Sequence, residues 1–359
     1  MVTLTRGEGK TKICLISKQF YPATIGGAEL YMYEIFKRIR EENKVTILTY
    51  DDVDYEEAEV IHLPGIHFAI RSFLFSIIAG LKARLGDYDV VHINGYWGEF
   101  SGLFVKTAIV TVHDVGFLGR KGLLNKIRFF LLDKAMRSSR KVITVSERSK
   151  KEILRGFKID EEKIRVIPAG IDPEKYITSA PPGDGKVILS FGRFARNKGY
   201  EYLIDAFKIV NERIEDAHLV IAGYAEDKSY ITELVDRTGG MKNVQILQNP
   251  SEERKIQLFA TCDIYCQPSI ADEGFGITIL EAMASSKPCI ATDIFSGVGH
   301  LPEEFLVKAG DKDELASRII EILNSDYRTI GAEMRRRAEK YSWDNIVRET
   351  LSLYREVEA

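Results

Sequence analysis

Two series of short β-branched runs, each run followed by a longer segment of helical periodicity, fill the chain from end to end. Strands separated by helices pair in parallel, and the crossover helices cover the faces of the sheet they form. The first series predicts strands at Lys12 to Ser17, Lys44 to Thr49, Val60 to Leu63, Val90 to Ile93, Ile109 to Val112, Val142 to Val145 and Arg165 to Ile167. The second predicts them at Val187 to Phe191, His218 to Ala222, Val244 to Leu247, Ile264 to Gln267, Pro288 to Thr292 and Phe305 to Val307, with helices such as Tyr200 to Arg213 between them. Thr178-Ser-Ala-Pro-Pro-Gly-Asp-Gly185 stands between the series, and its proline pair and glycines read as a linker. The expected fold is therefore α/β, with doubly wound domains at residues 1–175 and 186–341 joined by residues 176–185. Further helical stretches run from Glu314 to Leu323, from Arg328 to Tyr341 and, behind Trp343, from Asp344 to Val357.

The 359 residues, 45% hydrophobic and 29% charged, suffice for two hydrophobic cores and exclude a disordered chain. Fifty basic against 53 acidic side chains exclude a protein devoted to nucleic acid. The balance is uneven along the chain: residues 1–175 hold 28 basic and 23 acidic side chains, net +5, leaving net −8 for the rest. Cys14, Cys262, Cys266 and Cys289 form no disulfide framework, and no further His or Cys completes a metal site around Cys262 and Cys266. They read as buried small apolar groups of a protein in a reducing compartment. The N-terminus lacks the apolar stretch of a signal peptide. The greasiest segment, Ile66 to Leu81, is interrupted by Arg71 and falls short of the ~20 residues that span a bilayer. A cytoplasmic location is expected.

Three segments carry chemistry. In Asp272-Glu-Gly-Phe-Gly-Ile-Thr-Ile-Leu-Glu-Ala-Met-Ala284 a strand meets a glycine turn and a helix opens near Gly276. Its unpaired N–H groups, including those of Ile277 and Thr278, and its positive dipole end suit a phosphate. Glu281 lies on the edge of the apolar stripe of Ile277, Leu280 and Ala284, aimed at a ligand hydroxyl, and Glu273 hangs over the same crevice from the loop. In Ser190-Phe-Gly-Arg-Phe-Ala-Arg-Asn-Lys-Gly199, Arg193 and Lys198 stand on the loop after a strand, where a fork and a point charge can share the oxygens of a diphosphate. Near the N-terminus, Gly26 and Gly27 open a helix and allow a close backbone approach; alone they fit a plain turn equally well. His113, just past a strand end, reads as a structural histidine or a ligand contact alike.

These residues, with Val145-Ser146, Pro168-Ala-Gly-Ile-Asp172, Gly223 and Pro268, occur in the order found in the retaining glycosyltransferases of family 4, which the chain resembles over nearly its whole length. The Glu-x7-Glu pair, Glu273 and Glu281, is the most specific feature. The resemblance implies the GT-B fold, two Rossmann-like domains facing each other across a cleft, with the last helix (342–359) packing back on the first. It implies that Arg193 and Lys198 bind the donor diphosphate, Glu281 the nucleotide ribose, Glu273 the donor sugar, His113 the sugar near its C6 hydroxyl, and Gly26 and Gly27 the phosphate. Two departures stand out: Ser286 where glycine is common, and Asn249-Pro250 in place of a glycine-containing turn near the expected base pocket.

The implied reaction moves a hexose from a nucleotide-diphosphate sugar, a co-substrate rather than a cofactor, to a hydroxyl of a sugar or lipid-linked acceptor, without a metal. A nucleotide-sugar epimerase of the same fold and a non-catalytic nucleotide-sugar binder are the alternatives. Arg120 to Lys141 adds a question of location, with eight basic residues against one acid, Asp133, and Leu123, Leu124, Ile127, Phe129, Phe130, Leu131, Leu132 and Met136 interleaved. This is either a helix buried on one side with a solvated basic edge, or a peripheral contact of residues 120–141 with the anionic inner face of the membrane.

Overall fold

In the computed structural model, which describes residues 10–24, 26–65, 67–95, 98–113, 115, 122–177, 186–225, 227–271, 275–294 and 301–358, the first series of strands assembles into one parallel sheet. Its strands are β1 (Lys12–Ile16), β2 (Lys44–Thr49), β3 (Ala58–Val60), β4 (Val90–Asn94), β5 (Ile109–Val112), β6 (Lys141–Thr144) and β7 (Ile164–Val166). They lie in the order β3-β2-β1-β4-β5-β6-β7, and α1 (Gly27–Ile39), α2 (Phe68–Leu85), α3 (Leu123–Ser138) and α4 (Glu147–Gly156) intervene between them along the chain. β4 and β5 are buried along their full length, polar His92, Asn94 and Thr111 included, so they lack the in-and-out alternation of a half-exposed strand. The third strand is displaced from the expected Val60 to Leu63. The β2 ladder pairs Ile47, Leu48 and Thr49 with Ala58, Glu59 and Val60, so Ile61 to Leu63 form the loop beyond it, with Ile61 still donating to Thr49 O at 2.7 Å.

The second series forms another parallel sheet from β8 (Lys186–Phe191), β9 (Ala217–Gly223), β10 (Val244–Gln248), β11 (Ile264–Gln267), β12 (Cys289–Thr292) and β13 (Leu306–Val307), in the order β10-β9-β8-β11-β12-β13. Its helices are α5 (Tyr200–Arg213), α6 (Lys228–Arg237), α7 (Glu252–Thr261), α8 (Ile277–Ala284), α9 (Lys312–Leu323) and α10 (Tyr327–Ala338), and α11 (Trp343–Glu358) ends the chain. Helix α9 starts two residues before the expected Glu314 because Asp311 caps the N–H groups of Asp313 and Glu314. The stretch expected as helix to Tyr341 tightens after Ala338 into a 3₁₀ turn, Glu339–Tyr341. In each sheet the strand order reverses, between β1 and β4 and between β8 and β11. Open α/β sheets receive ligands at such a reversal, at the carboxyl ends of the strands.

The chain divides into two compact units after Gly170 and again after Ser342, and Trp343 onward belongs to the first unit. Residues 171–175, assigned from sequence to the first domain, pack with the second: Ile171 donates its N–H to Tyr341 O at 2.8 Å. Tyr176, the first residue of the expected linker, is likewise buried in the second unit, and residues 178–185 lie outside the described residues. In the first unit α11 docks through Trp343, 6.0 Å from the Tyr31 ring, through Asp344 on Arg38 and through Glu356 on Arg165. Gly170 is glycine for steric reasons, since a Cβ there would lie 2.6 Å from the Trp343 ring. Fully buried His92 sits between Tyr354 Oη at 2.6 Å and Thr111 Oγ1 at 2.7 Å, and burial together with neighbouring His113 pushes its pKa down to about 3. A neutral imidazole therefore pins the last helix to the centre of the first sheet.

Candidate active site

At the reversal of the second sheet, the loops that leave the adjacent strands β8 and β11 are bonded to each other. Ile270 donates its N–H to Asn197 O at 2.8 Å, and Asn197 Nδ2 reaches Ala271 O at 3.3 Å. The contact requires glycine at 199, whose φ is +65° and where a Cβ would stand 2.2 Å from Pro268 O. The second close approach is at Gly223, the end of β9, where a Cβ would fall 1.6 Å from Gly192 O. Gly192 and Phe194 are also laced to this neighbour, through Tyr224 N–H to Gly192 O at 3.2 Å and Phe194 N–H to Tyr224 O at 2.8 Å. The loop is thus rigid around its basic residues. Arg193 is exposed, and the stem of Lys198 runs over Gly192. Arg196, the third cation, is committed elsewhere, in a two-pronged ion pair with Glu233.

After β11, Gly276 caps α8 at φ +72°, the left-handed conformation that a glycine adopts without strain. Thr278, expected at the ligand, donates Oγ1–H to Gln267 Oε1 at 2.9 Å, and Tyr265 Oη lies 2.9 Å from the same oxygen. Ile277 is only half-buried, whereas Ile279 through Ala284 are all buried. Glu281 is consequently not on the edge of a stripe: it is 4% exposed, enclosed by the apolar residues around it. Its Oε1 accepts from Tyr176 Oη at 2.8 Å and from Lys255 Nζ at 2.5 Å. Its Oε2 is buried with no hydrogen-bond partner among the described residues. An orphaned buried acceptor costs about 1–3 kcal/mol, which a hydroxyl donor would recover. Burial alone would lower the Lys255 pKa, but the carboxylates of Glu281 and Glu252 outweigh it and the ammonium ends above its ordinary value. Glu273 lies outside the described residues.

In the first unit Gly26 caps α1 in an extended conformation and Gly27 is the first helical residue. The space over Gly26 is taken by a carboxylate, since a Cβ there would meet Glu29 Oε2 at 2.2 Å. Burial pushes the Glu29 pKa up. The loop before the glycines is braced by Asp51, which accepts from Phe20 N–H at 2.9 Å and from Thr24 Oγ1–H at 2.6 Å. Asp51 is thus a structural acceptor. His113 follows β5, with its ring edge-on to Tyr31 at 5.2 Å and Nε2 2.7 Å from Asn94 Oδ1. Asn94 Nδ2 donates to Ser17 Oγ and Ala28 O, which fixes Oδ1 as the acceptor and places the proton on His113 Nε2.

Comparison with known proteins agrees with this architecture. The family model described as glycosyl transferases group 1 matches residues 173–343, and that of glycosyltransferase family 4 matches residues 25–175. The chain belongs to the group 1 glycosyltransferases. An uncharacterized glycosyltransferase of Methanocaldococcus jannaschii is 27% identical, over 96% of this chain and 98% of its own. The phosphatidyl-myo-inositol mannosyltransferase of Mycobacterium leprae is 31% identical over 53% of each. The crystal structure of Anabaena HepE in complex with UDP and glucose superposes with a TM-score of 0.80 at 21% identity, covering 96% of this chain and 100% of that one. The architecture is that of GT-B glycosyltransferases.

Both departures of this glycosyltransferase from the family pattern keep a glycine-like backbone: Ser286 has φ +58° and Asn249 φ +50°. Asparagine tolerates that conformation, and Asn249 Oδ1 also accepts from Ala225 N–H at 3.1 Å. The basic segment forms α3, which buries Arg128, Leu132, Ala135 and Met136. Leu123, Leu124, Ile127, Phe129 and Phe130 remain exposed, and Arg120 and Lys121 lie outside the described residues. Arg128 is turned inward, 3.8 Å from buried Glu99, and so leaves the solvated basic face. Tyr176, Lys255, Gln267 and Asn94 escaped the sequence reading, since none belongs to a motif.

Proposed function

We propose that this glycosyltransferase moves a hexose from a nucleoside-diphosphate sugar to an acceptor hydroxyl with retention at the anomeric carbon, and that it needs no metal. The observation that carries the reading is the vacant hydrogen-bonding capacity of Glu281 Oε2, in the unit whose paired loops also bear Arg193 and Lys198. A buried acceptor suits a ribose hydroxyl. Arg193, Lys198 and the N-terminus of α8 suit the diphosphate, whose charge grows as the sugar departs. Glu273, His113, Gly26 and Gly27 carry the roles that the resemblance implies. The HepE complex with UDP and glucose supports a donor of this class. Incubation of a nucleotide-sugar panel with candidate acceptors should release free nucleotide only when acceptor is present, undiminished by EDTA. Release without acceptor would favour the epimerase, and loss in EDTA restored by Mn²⁺ or Mg²⁺ would overturn metal independence.

A second element of the proposal concerns the acceptor, taken to be lipid-linked. No helix among the described residues is long and apolar enough to cross a membrane. Support for peripheral contact comes from α3, where Leu123 is 73% exposed, Leu124 59% and Phe130 55%, beside the basic Lys126, Lys134 and Arg137. Elsewhere in the first unit, α2 also leaves Phe68, Ile70 and Phe73 exposed. Each basic residue near an anionic surface is worth about 1 kcal/mol, so several hold a protein there reversibly. The protein is expected to sediment with phosphatidylglycerol vesicles at low salt, and to be released at high salt or with neutral phosphatidylcholine. Binding that ignores salt and lipid charge, or none at low salt, would refute this contact.

A further inference from the structure

We infer that Lys255 and Tyr176 are positioning residues that turn Glu281 so that Oε2 meets a ribose hydroxyl of the donor, an inference that rests on the donor reading above. Lys255 stands on α7, one turn past the Ser251 cap, with its side chain 12% exposed and its ammonium 5.5 Å from the centre of the Phe191 ring. A cation so enclosed is tolerated only when paired, and it pairs with Glu281. Tyr176 approaches from another direction, with its ring edge-on to Phe259 at 6.1 Å. Both donors end on the same oxygen, Oε1.

Two donors on one carboxylate oxygen fix the torsion of the group. The second oxygen then has one direction in which to accept, and no described residue occupies it. The Lys255 ammonium offsets the Glu281 charge, with the more exposed Glu252 carboxylate 3.8 Å from it on the solvent side, so Oε2 receives a neutral hydroxyl with less repulsion of the diphosphate of the same ligand. An isolated carboxylate would both repel that phosphate and rotate. The sugar-edge selectivity of the donor site therefore depends on two residues that need not touch the ligand.

The test compares UDP, GDP, ADP and CDP with their 2′,3′-dideoxy counterparts by calorimetry, on the full chain. The wild type should prefer the ribonucleotide of its donor base by about ten- to a hundredfold, the worth of a hydrogen bond to a charged group. Lys255→Met should collapse that ratio to about threefold or less, and Tyr176→Phe should reduce it about threefold. A purely structural role would weaken both ligands alike and leave the ratio intact. Should Lys255→Met fail to fold, Tyr176→Phe, which deletes one hydroxyl from a packed ring, carries the test. A wild-type ratio that persists in the variants overturns this inference and spares the donor reading. A wild type that binds none of the four, or makes no distinction, overturns the ribose assignment and the inference with it.

Discussion

Arg193→Ala and Lys198→Ala should each lower turnover about a hundredfold, the loss that follows removal of one charged hydrogen bond from a transition state. Their melting temperatures should stay close to the parent's, because neither side chain packs in the core: Arg193 is exposed and Lys198 half-buried. An exposed substitution such as Arg193→Ala usually stays within about 0.5 kcal/mol in stability, and a half-buried lysine stem outside the core adds little to that. Arg196→Ala is the internal control. Its guanidinium is held by Glu233 at 2.8 and 2.6 Å, so its removal should cost little turnover. Steady-state rates with the donor identified by the panel decide the matter, and wild-type rates in both the Arg193 and Lys198 variants would remove the diphosphate assignment.

The second large effect is expected at Gly223→Ala. The added methyl would fall 1.6 Å from Gly192 O, and that atom is backbone held by Tyr224 N–H, so it cannot swing aside. The ends of β8 and β9 must part, which costs about 2–4 kcal/mol by overpacking and backbone strain. The shift moves the loop that carries Arg193, so turnover should fall together with stability. Gly239→Ala separates the two causes: Gly239 also has a positive φ, +60°, but nothing lies within 4 Å of a Cβ there. It should lose only about 1–2 kcal/mol, the cost of the backbone conformation itself. Thermal unfolding and turnover on both variants provide the comparison, and an unchanged melting temperature for Gly223→Ala would show the close approach of the strand ends to be dispensable.

Short runs rich in β-branched and apolar residues between helical segments mark buried strands even where a polar residue interrupts them, so β4, β5 and β11 were legible at or within a residue of their ends. The cationic loop and the glycine turn were legible because each is a local pattern: a strand, a break in φ and a helix start. What escaped depends on contacts that no short window contains. Tyr176 meets Glu281 across 105 residues, Lys255 meets it across 26, and His113 meets Asn94 across 19. Glu281 itself was found by spacing, but its burial was misjudged, since helical periodicity cannot report that α8 is covered on nearly every side. Arg128 was counted among solvated cations for a similar reason: its partner Glu99 lies in a separate 3₁₀ turn.

The return of α11 to the first unit sets an order of events during synthesis. Trp343 and Tyr354 fill positions against Tyr31 and His92 in the first sheet's surroundings, yet the ribosome makes them only after the whole second unit. The nascent first sheet must wait with those positions beside Tyr31 and His92 unfilled while the second unit emerges and folds. A stop codon late in the message would therefore damage the first half of the protein rather than the half nearest to it.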